Sequence, residues 1–221
     1  MNIIFRKKNN YTLIIVGVIA VILTIVAGFS IKNNSYKAPT VDPFDLVEVG
    51  TSQESMTEED TKQYNERLDK GLLLLREGDN GNKEAFNDAI TVYKEAAGYS
   101  KYNNWMPYYH LGNIYRRLGE YDKAEQAFSN ALKITGNTEL SIYLSRIEMY
   151  RYELQKTKEE IKQVYAEALQ LSNDVNNAEV SYAGFLKDIG DKEEAIIYYK
   201  KLLEKYPGNQ IYQQEIEMLS K

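Results

Sequence analysis

Residues 105–138, WMPYYHLGNIYRRLGEYDKAEQAFSNALKITGNT, contain two blocks of apolar and small residues at helical spacing. Gly119 separates the blocks and Gly136 closes the second, so each block is bounded by a residue that commonly ends helices. The small side chains would let two antiparallel helices approach closely, with aromatic rings filling the space around them. The stretch therefore predicts a helix–turn–helix pair. The residues expected to face each other are Tyr108, Leu111, Gly112 and Tyr115 in the first helix, and Ala124, Phe128 and Ala131 in the second.

Related patterns extend over nearly all of residues 58–221, with polar breaks between successive helices. The spacing resembles the tetratricopeptide repeat, in which W-x2-L-G-x2-Y is followed by A-x3-F and a closing Pro over 34 residues. In the quoted stretch Tyr108 stands for the Trp and Gly136 for the Pro. The resemblance implies an all-α fold, a right-handed superhelical solenoid of antiparallel helix pairs. We expect about four repeats and a C-terminal capping helix, at about 64–104, 105–138, 139–175, 176–209 and 210–220.

Two parts of this pattern are irregular. In the third unit Ser145 and Arg146 depart from the first-helix pattern, which leaves the register of the helix 139–152 open. In the first unit the segment Gly78–Asn82 suggests a connection between helices that is longer than usual.

Helix starts are also recognisable. Thr57 precedes three acids, which is typical of an N-cap followed by the first turn of a helix. Asp191 and Glu194 have the spacing of a capping box, which predicts the start of a second helix in the fourth repeat.

Residues 11–31, YTLIIVGVIAVILTIVAGFSI, form an uncharged run that is long enough for a helix to cross a bilayer about 30 Å thick. The basic segment 1–10 precedes it, and positive charge beside a membrane span stays in the cytoplasm. We therefore predict a cytoplasmic N-terminus, a single transmembrane helix over 11–31 and a flexible linker over 32–57. The domain 58–221 would lie outside the cytoplasm, tethered to the cell membrane. The alternative is a signal peptide cleaved after Gly28, which would release a secreted protein.

The charge balance and the residue types argue against several classes of function. All 32 acids of the chain follow residue 31, against 24 of its 27 Lys and Arg residues, so the net charge of residues 32–221 is −8. Such a domain lacks the basic stripe that nucleic acid requires. The chain has no Cys, and its one His, His110, stands beside a core stripe, where histidines are usually structural. We expect no catalytic site, metal, cofactor or small-molecule substrate, and the richness in Asn, Lys, Ile and Tyr favours a bacterial source.

The resemblance also implies a binding surface, because in tetratricopeptide-repeat proteins the first helix of each pair lines a concave face that holds a segment of a partner protein. Asn113 and Arg116 resemble polar residues that hold a peptide backbone or terminal carboxylate in that family, although the full set of five clamp residues is not present. Carrying the family's positions over gives ten groove residues: Tyr109, Asn113, Arg116 and Arg117 in the second repeat, Tyr143, Ile147 and Tyr150 in the third, and Val180, Gly184 and Lys187 in the fourth.

Two functions of different class fit these expectations. The first is a membrane-anchored adaptor that binds a protein or peptide segment in its concave groove, for example to recruit an envelope enzyme. Tethering raises the local concentration of the groove, so that even weak binding can act. The second is a chaperone-like accessory subunit of a secretion, translocation or envelope-assembly complex. Such a subunit would favour an apolar, unspecific groove over a polar, selective one.

Overall fold

The computed structural model describes residue 50 and residues 53–221, which form nine α-helices and one π-helical segment and contain no strand. The predicted all-α class is therefore confirmed for this part of the chain. We number the helices α1 to α9. Their bounds are Glu58–Asp79 (α1), Glu84–Tyr99 (α2), Trp105–Leu118 (α3), Tyr121–Ile134 (α4), Leu140–Glu148 (α5), Lys158–Leu171 (α6), Val175–Asp188 (α7), Lys192–Lys205 (α8) and Gln210–Leu219 (α9), and the π-helical segment is Met149–Glu153.

The predicted transmembrane helix 11–31 and most of the predicted linker 32–57 lie outside the described residues. In the part of the chain that the structure covers, no helix is both long and apolar enough to cross a bilayer. Gly50 belongs to the predicted linker, yet its backbone N–H donates to the carbonyl of Tyr102 at 3.1 Å. The chain thus contacts the repeat domain several residues before α1 begins.

From the second helix pair onward, the first helix of each pair begins at a regular interval, with α9 continuing the series. The N-caps of α3, α5, α7 and α9 are each 35 residues apart, whereas the sequence pattern suggested spacings of 34 and 37. In each case the side chain of the cap accepts a hydrogen bond from a backbone N–H of the first turn, which has no partner within the helix. The four caps are Asn104, Glu139, Asp174 and Asn209.

The contact between α3 and α4 depends on the glycine that the sequence singled out. A Cβ added to Gly112 would lie 2.5 Å from the ring of Phe128, closer than real Cβ contacts allow. Ala124 and Phe128 are fully buried on the facing side of α4. After α3 the chain turns at Gly119, which has a φ of +76° and caps the helix in the left-handed conformation, where glycine is favoured.

The helices α1 and α2 also approach closely through glycines that lie against aromatic rings, at two positions. A Cβ on Gly71 would lie 2.6 Å from the ring of Tyr93, and Gly78 lies equally tight against Phe86. Since Gly78 is later in α1 while Phe86 is earlier in α2, the two helices run antiparallel. Gly78 is therefore a helical residue at the seam and not part of a long connection, which is confined to residues 80–83.

The register of α5 differs by one residue from the one carried over from the sequence. Tyr143 and Ile147 are 1% and 2% exposed and lie in the core. They follow the cap of α5 by four and eight residues, as Tyr108 and Gly112 follow the cap of α3. Tyr143 and Ile147 are thus core residues, and the prediction that they line a groove is wrong.

Of the two predicted helix starts, one has the expected capping and one does not. The hydroxyl of Thr57 accepts from the N–H of Asp60, whose carboxylate accepts from the N–H of Thr57 in return, which completes a capping box. Asp191 does precede α8, but in the described part of the chain its side chain does not form the capping hydrogen bond that a capping box requires. Lys162 of α6 instead binds the carboxylates of Asp191 and Glu194, each at 2.6 Å.

The buried apolar residues extend from one helix pair to the next. One cluster joins α2 to α8 and includes Tyr108, Phe128 and Tyr165, while a smaller one around Tyr93 joins the first pair to the second. The last helix, α9, packs its partly buried apolar residues, such as Ile216, against this core. The core thus links each pair to the next one along the chain, as in solenoid proteins.

Candidate functional site

The helices α1, α3, α5, α7 and α9 lie side by side, and we call the surface they form the first-helix face. Five ion pairs connect neighbours in this row, two of them made by the π-helical segment that continues α5. Partly exposed surface pairs of this kind contribute little stability individually, typically below about 1 kcal/mol, but they engage the basic groups of the face that are named here. The pairs are Arg117 with Asp79 (2.7 Å), Arg116 with Glu148 (3.0 Å) and with Glu153 (3.3 Å), Arg151 with Asp188 (2.8 Å) and Lys187 with Glu215 (2.7 Å).

The three basic residues predicted to line the groove are therefore already neutralised. Arg116 makes a second ion pair with Glu153 at 3.3 Å and also donates to the carbonyl of Ser145. The hydrogen bond to Glu215 raises the pKa of Lys187. A carboxylate from a partner would have to compete with these acids for Arg116, Arg117 or Lys187. The face is consequently a poor clamp for a terminal carboxylate.

Tyr109 and Asn113 are engaged within the protein. The half-buried ring of Tyr109 packs edge-on against Trp105, with 5.8 Å between ring centroids, and its hydroxyl accepts from Ser145 at 3.4 Å. The side-chain amide of Asn113 donates to the carbonyl of Tyr109 at 3.0 Å. Replacing either residue would disturb packing as well as any binding surface.

The three candidates in the third repeat do not form a surface together. Tyr143 and Ile147 lie in the core, for the reason of register given above. Tyr150 is half-buried, with the guanidinium of Arg146 and the ammonium of Lys156 each 5.9 Å from its ring centroid. Its ring is therefore covered by cations of its own chain.

The fourth repeat offers the most open part of the face. Gly184 is half-buried, and a Cβ added to it would meet no atom within 4 Å. Val180, one turn earlier, lines a cleft of about 490 Å³ between the N-terminal parts of α5 and α7, which we call the α5–α7 cleft. This volume lies within the range of ligand sites in proteins. The apolar lining is Leu140, Leu144 and Val180, and the polar rim is Glu139, Ser141, Asn173, Asp174, Asn177 and Ser181.

Of these lining residues, only Val180 was predicted from the sequence. Leu144 follows Tyr143 as Tyr109 follows Tyr108, so the corrected register of α5 would have placed it on the first-helix face. Apart from Ser181, which lies in the middle of α7, the rim residues belong to helix N-termini and to the loop before α7, where a pattern of core positions carries no signal.

His110 has a structural role. Its ring stacks on that of Tyr93, with 4.8 Å between centroids and 16° between planes. Burial, and to a lesser degree Arg117, lower the pKa of His110 to about 4, so the imidazole is neutral at pH 7. Among the residues that the structure describes, no group of His and acidic side chains could hold a metal ion.

Helix pairs stacked in one row at a fixed period define a helical-repeat protein. Residues 106–135 and residues 165–209 match family models of the tetratricopeptide repeat, which confirms the resemblance seen in the sequence. The second match begins within α6 and runs through α7 and α8 to the cap of α9. The chain thus contains tetratricopeptide repeats, a protein-interaction fold that is generally a non-catalytic scaffold.

The solved structures that are similar to this chain include the following two. One is the crystal structure of the MamA protein, with 19% identity over 72% of this chain and 81% of that one, and a TM-score of 0.49. The other is YrrB, described as a TPR protein with an unusual peptide-binding site, with 18% identity over 73% of this chain and 82% of that one, and a TM-score of 0.44. No curated protein matches the chain.

Proposed function

We propose that this protein is a membrane-anchored adaptor whose first-helix face binds a segment of a partner protein outside the cytoplasm. The tetratricopeptide repeats support a protein or peptide partner. The observation that carries the proposal is the α5–α7 cleft, where half-buried Leu144 and Val180 lie beside polar groups on the first-helix face. The uncharged run 11–31 supports the anchor, and the basic segment before it supports the orientation.

The first-helix face favours a selective adaptor over the chaperone-like alternative. A holdase for many unfolded chains needs a broad apolar surface, because it binds clients through their exposed hydrophobic residues. Here ion pairs recur from α1 to α9, and the apolar lining of the α5–α7 cleft is surrounded by polar groups. Such a surface suits one segment with defined chemistry.

Site-specific photocrosslinking in intact cells tests this function. A photoreactive phenylalanine analogue replaces Val180 in one version of the full chain and Ile197 in another. Ile197 is 63% exposed on the second helix α8, so it is a matched control that is accessible but not on the first-helix face. We expect one discrete crosslinked partner from position 180 and none from position 197.

Three outcomes would contradict the proposal. Equal crosslinking at both positions would mean that binding is not specific to the first-helix face, and crosslinking at 197 alone would place the partner away from that face. A broad smear of crosslinked proteins from position 180 would instead favour the chaperone-like function.

A further inference from the structure

The α5–α7 cleft combines an apolar floor with an uncompensated negative charge. Leu144 and Val180 are half-buried and lie across the cleft from each other on neighbouring first helices, above the buried Leu140. Side chains that remain partly exposed in a concave site gain free energy when they are covered, in proportion to the apolar surface that is removed from water. The floor therefore favours an aliphatic side chain from a partner.

The charge at the rim comes from Glu139 and Asp174, and none of the described residues that line the cleft is a Lys or Arg. The carboxylate of Glu139 accepts from the hydroxyl of Ser141 at 2.9 Å, and that of Asp174 accepts from the N–H and side-chain amide of Asn177 at 3.2 and 2.6 Å. These donors are neutral and leave both charges in place. Neither carboxylate has a basic partner within residue 50 and residues 53–221.

The helix dipoles do not cancel this charge. Glu139 and Asp174 cap the N-termini of α5 and α7, each of which carries about half a positive charge. The two carboxylates carry two negative charges, and the two helix N-termini together carry about one positive charge. About one net negative charge therefore remains at the mouth of the cleft. Elsewhere on the first-helix face Arg116, Arg117 and Lys187 already pair with acids of the chain.

We propose that the partner segment carries a bulky aliphatic residue next to a Lys or Arg. The aliphatic side chain occupies the floor formed by Leu144 and Val180, and the cation lies at Glu139 and Asp174. This inference rests on the proposed function and specifies the chemistry of the partner at that site. The complementarity is between an acidic, apolar cleft and a basic, apolar segment.

Peptide binding to the full chain, purified in mild detergent and followed by fluorescence anisotropy, tests the inference. The three labelled probes are a peptide of alternating Lys and Leu, one of alternating Lys and Ser, and one of alternating Glu and Leu. We expect the Lys–Leu peptide to bind at least about tenfold more tightly than either of the others. Its affinity should fall as NaCl is raised from about 0.05 to 0.5 M, because salt screens the charge term.

Two matched double variants locate the charge. Glu139→Gln with Asp174→Asn removes both charges but keeps oxygens that can cap α5 and α7, so we expect folding to persist and Lys–Leu affinity to fall about tenfold. Glu159→Gln with Glu193→Gln makes the same change in net charge at exposed acids that do not line the cleft. This control should bind the Lys–Leu peptide as the unmodified chain does.

The inference is overturned if no probe binds, if the Glu–Leu peptide binds as tightly as the Lys–Leu peptide, or if the two double variants lose affinity equally. A discrete partner crosslinked at position 180 would still support the proposed function in each of those cases. If position 180 captures no partner, the function fails independently of the peptide results.

Discussion

At the scale of single residues, two glycines of first helices have opposite surroundings. Gly112 lies against the ring of Phe128, whereas Gly184 faces open space. We expect Gly112→Ala to lower the free energy of unfolding by about 1–3 kcal/mol, because the methyl group must push the ring or the helix aside. Gly184→Ala should raise it by about 0.5–1 kcal/mol, since Ala is the better helix former.

Urea denaturation of the full chain in detergent, followed by circular dichroism, measures both effects. The pair is informative because the chemical change is the same and only the neighbours differ. A shift of the same sign and size for both variants would mean that α3 and α4 do not approach each other as closely as the structure indicates.

Glu179 is a second residue whose role can be tested, this time by pH. It is 1% exposed in the core side of α7, where it pairs with Lys201 at 2.6 Å and Lys205 at 2.7 Å. Burial raises the pKa of Glu179, but the hydrogen bonds and charges of the two lysines outweigh it, so the pKa lies below its usual value. A carboxyl group whose pKa is lowered by folding stabilises the folded state above its unfolded pKa of about 4.3, and this contribution is lost as pH falls through the folded value.

We therefore expect Glu179→Gln to lower the free energy of unfolding at pH 7 by about 1.5–3 kcal/mol, the range for hydrogen bonds to charged groups. The difference from the unmodified chain should shrink as pH falls below about 4, where the unmodified Glu179 also becomes neutral. Chemical denaturation at pH 7, 5 and 3 measures the difference. A gap that stays constant down to pH 3 would contradict the charged pairing.

At the scale of helices, sequence reasoning succeeded where apolar and small residues carry the packing, and failed where charges do. Gly112, Ala124 and Phe128 specify the α3–α4 pair by size alone, so their spacing was enough to predict it. In α5 the position of Leu111 is taken by Arg146, whose guanidinium pairs with Glu125 of α4. A charged residue in a core position looks like a surface residue until its partner is known, and this shifted the assigned register by one.

The same limit applies to the helix starts and to the cleft. Thr57 and Asp60 are three residues apart, so their capping box could be predicted from local spacing. The carboxylate of Asp191 pairs with Lys162, which lies 29 residues earlier in the chain. No local sequence pattern reveals such a contact. The α5–α7 cleft depends likewise on residues of two helices about 35 positions apart, so only Val180 was found in advance.

The ion pairs between first helices give a prediction at this scale. Arg117 of α3 and Asp79 at the end of α1 form a pair of two exposed side chains at 2.7 Å. In a double-mutant cycle of Arg117→Gln and Asp79→Asn, we expect a coupling energy of about 0.2–1 kcal/mol that decreases in high salt. Zero coupling at low salt would mean that the acid does not occupy the guanidinium, which would then be available to a partner.

At the scale of the whole molecule, the proposed orientation in the membrane would decide which partners can be reached. The basic segment before residues 11–31 predicts that the repeats lie outside the cytoplasm. Protease added to intact spheroplasts should therefore digest residues 58–221. Protection of this domain until the membrane is breached would contradict the orientation, and a mature N-terminus at Phe29 would favour cleavage of a signal peptide instead.

The central claim is that the first-helix face, at the α5–α7 cleft, binds a segment of a partner protein. Hydrogen–deuterium exchange of the full chain, with and without the partner that is crosslinked at Val180, tests it most directly because it reports on every helix at once. We expect slower exchange of backbone amides in residues 140–144 and 177–181 when the partner is bound, with little change in α6 and α8. Slower exchange confined to α6 and α8, with none in α5 and α7, would contradict the claim.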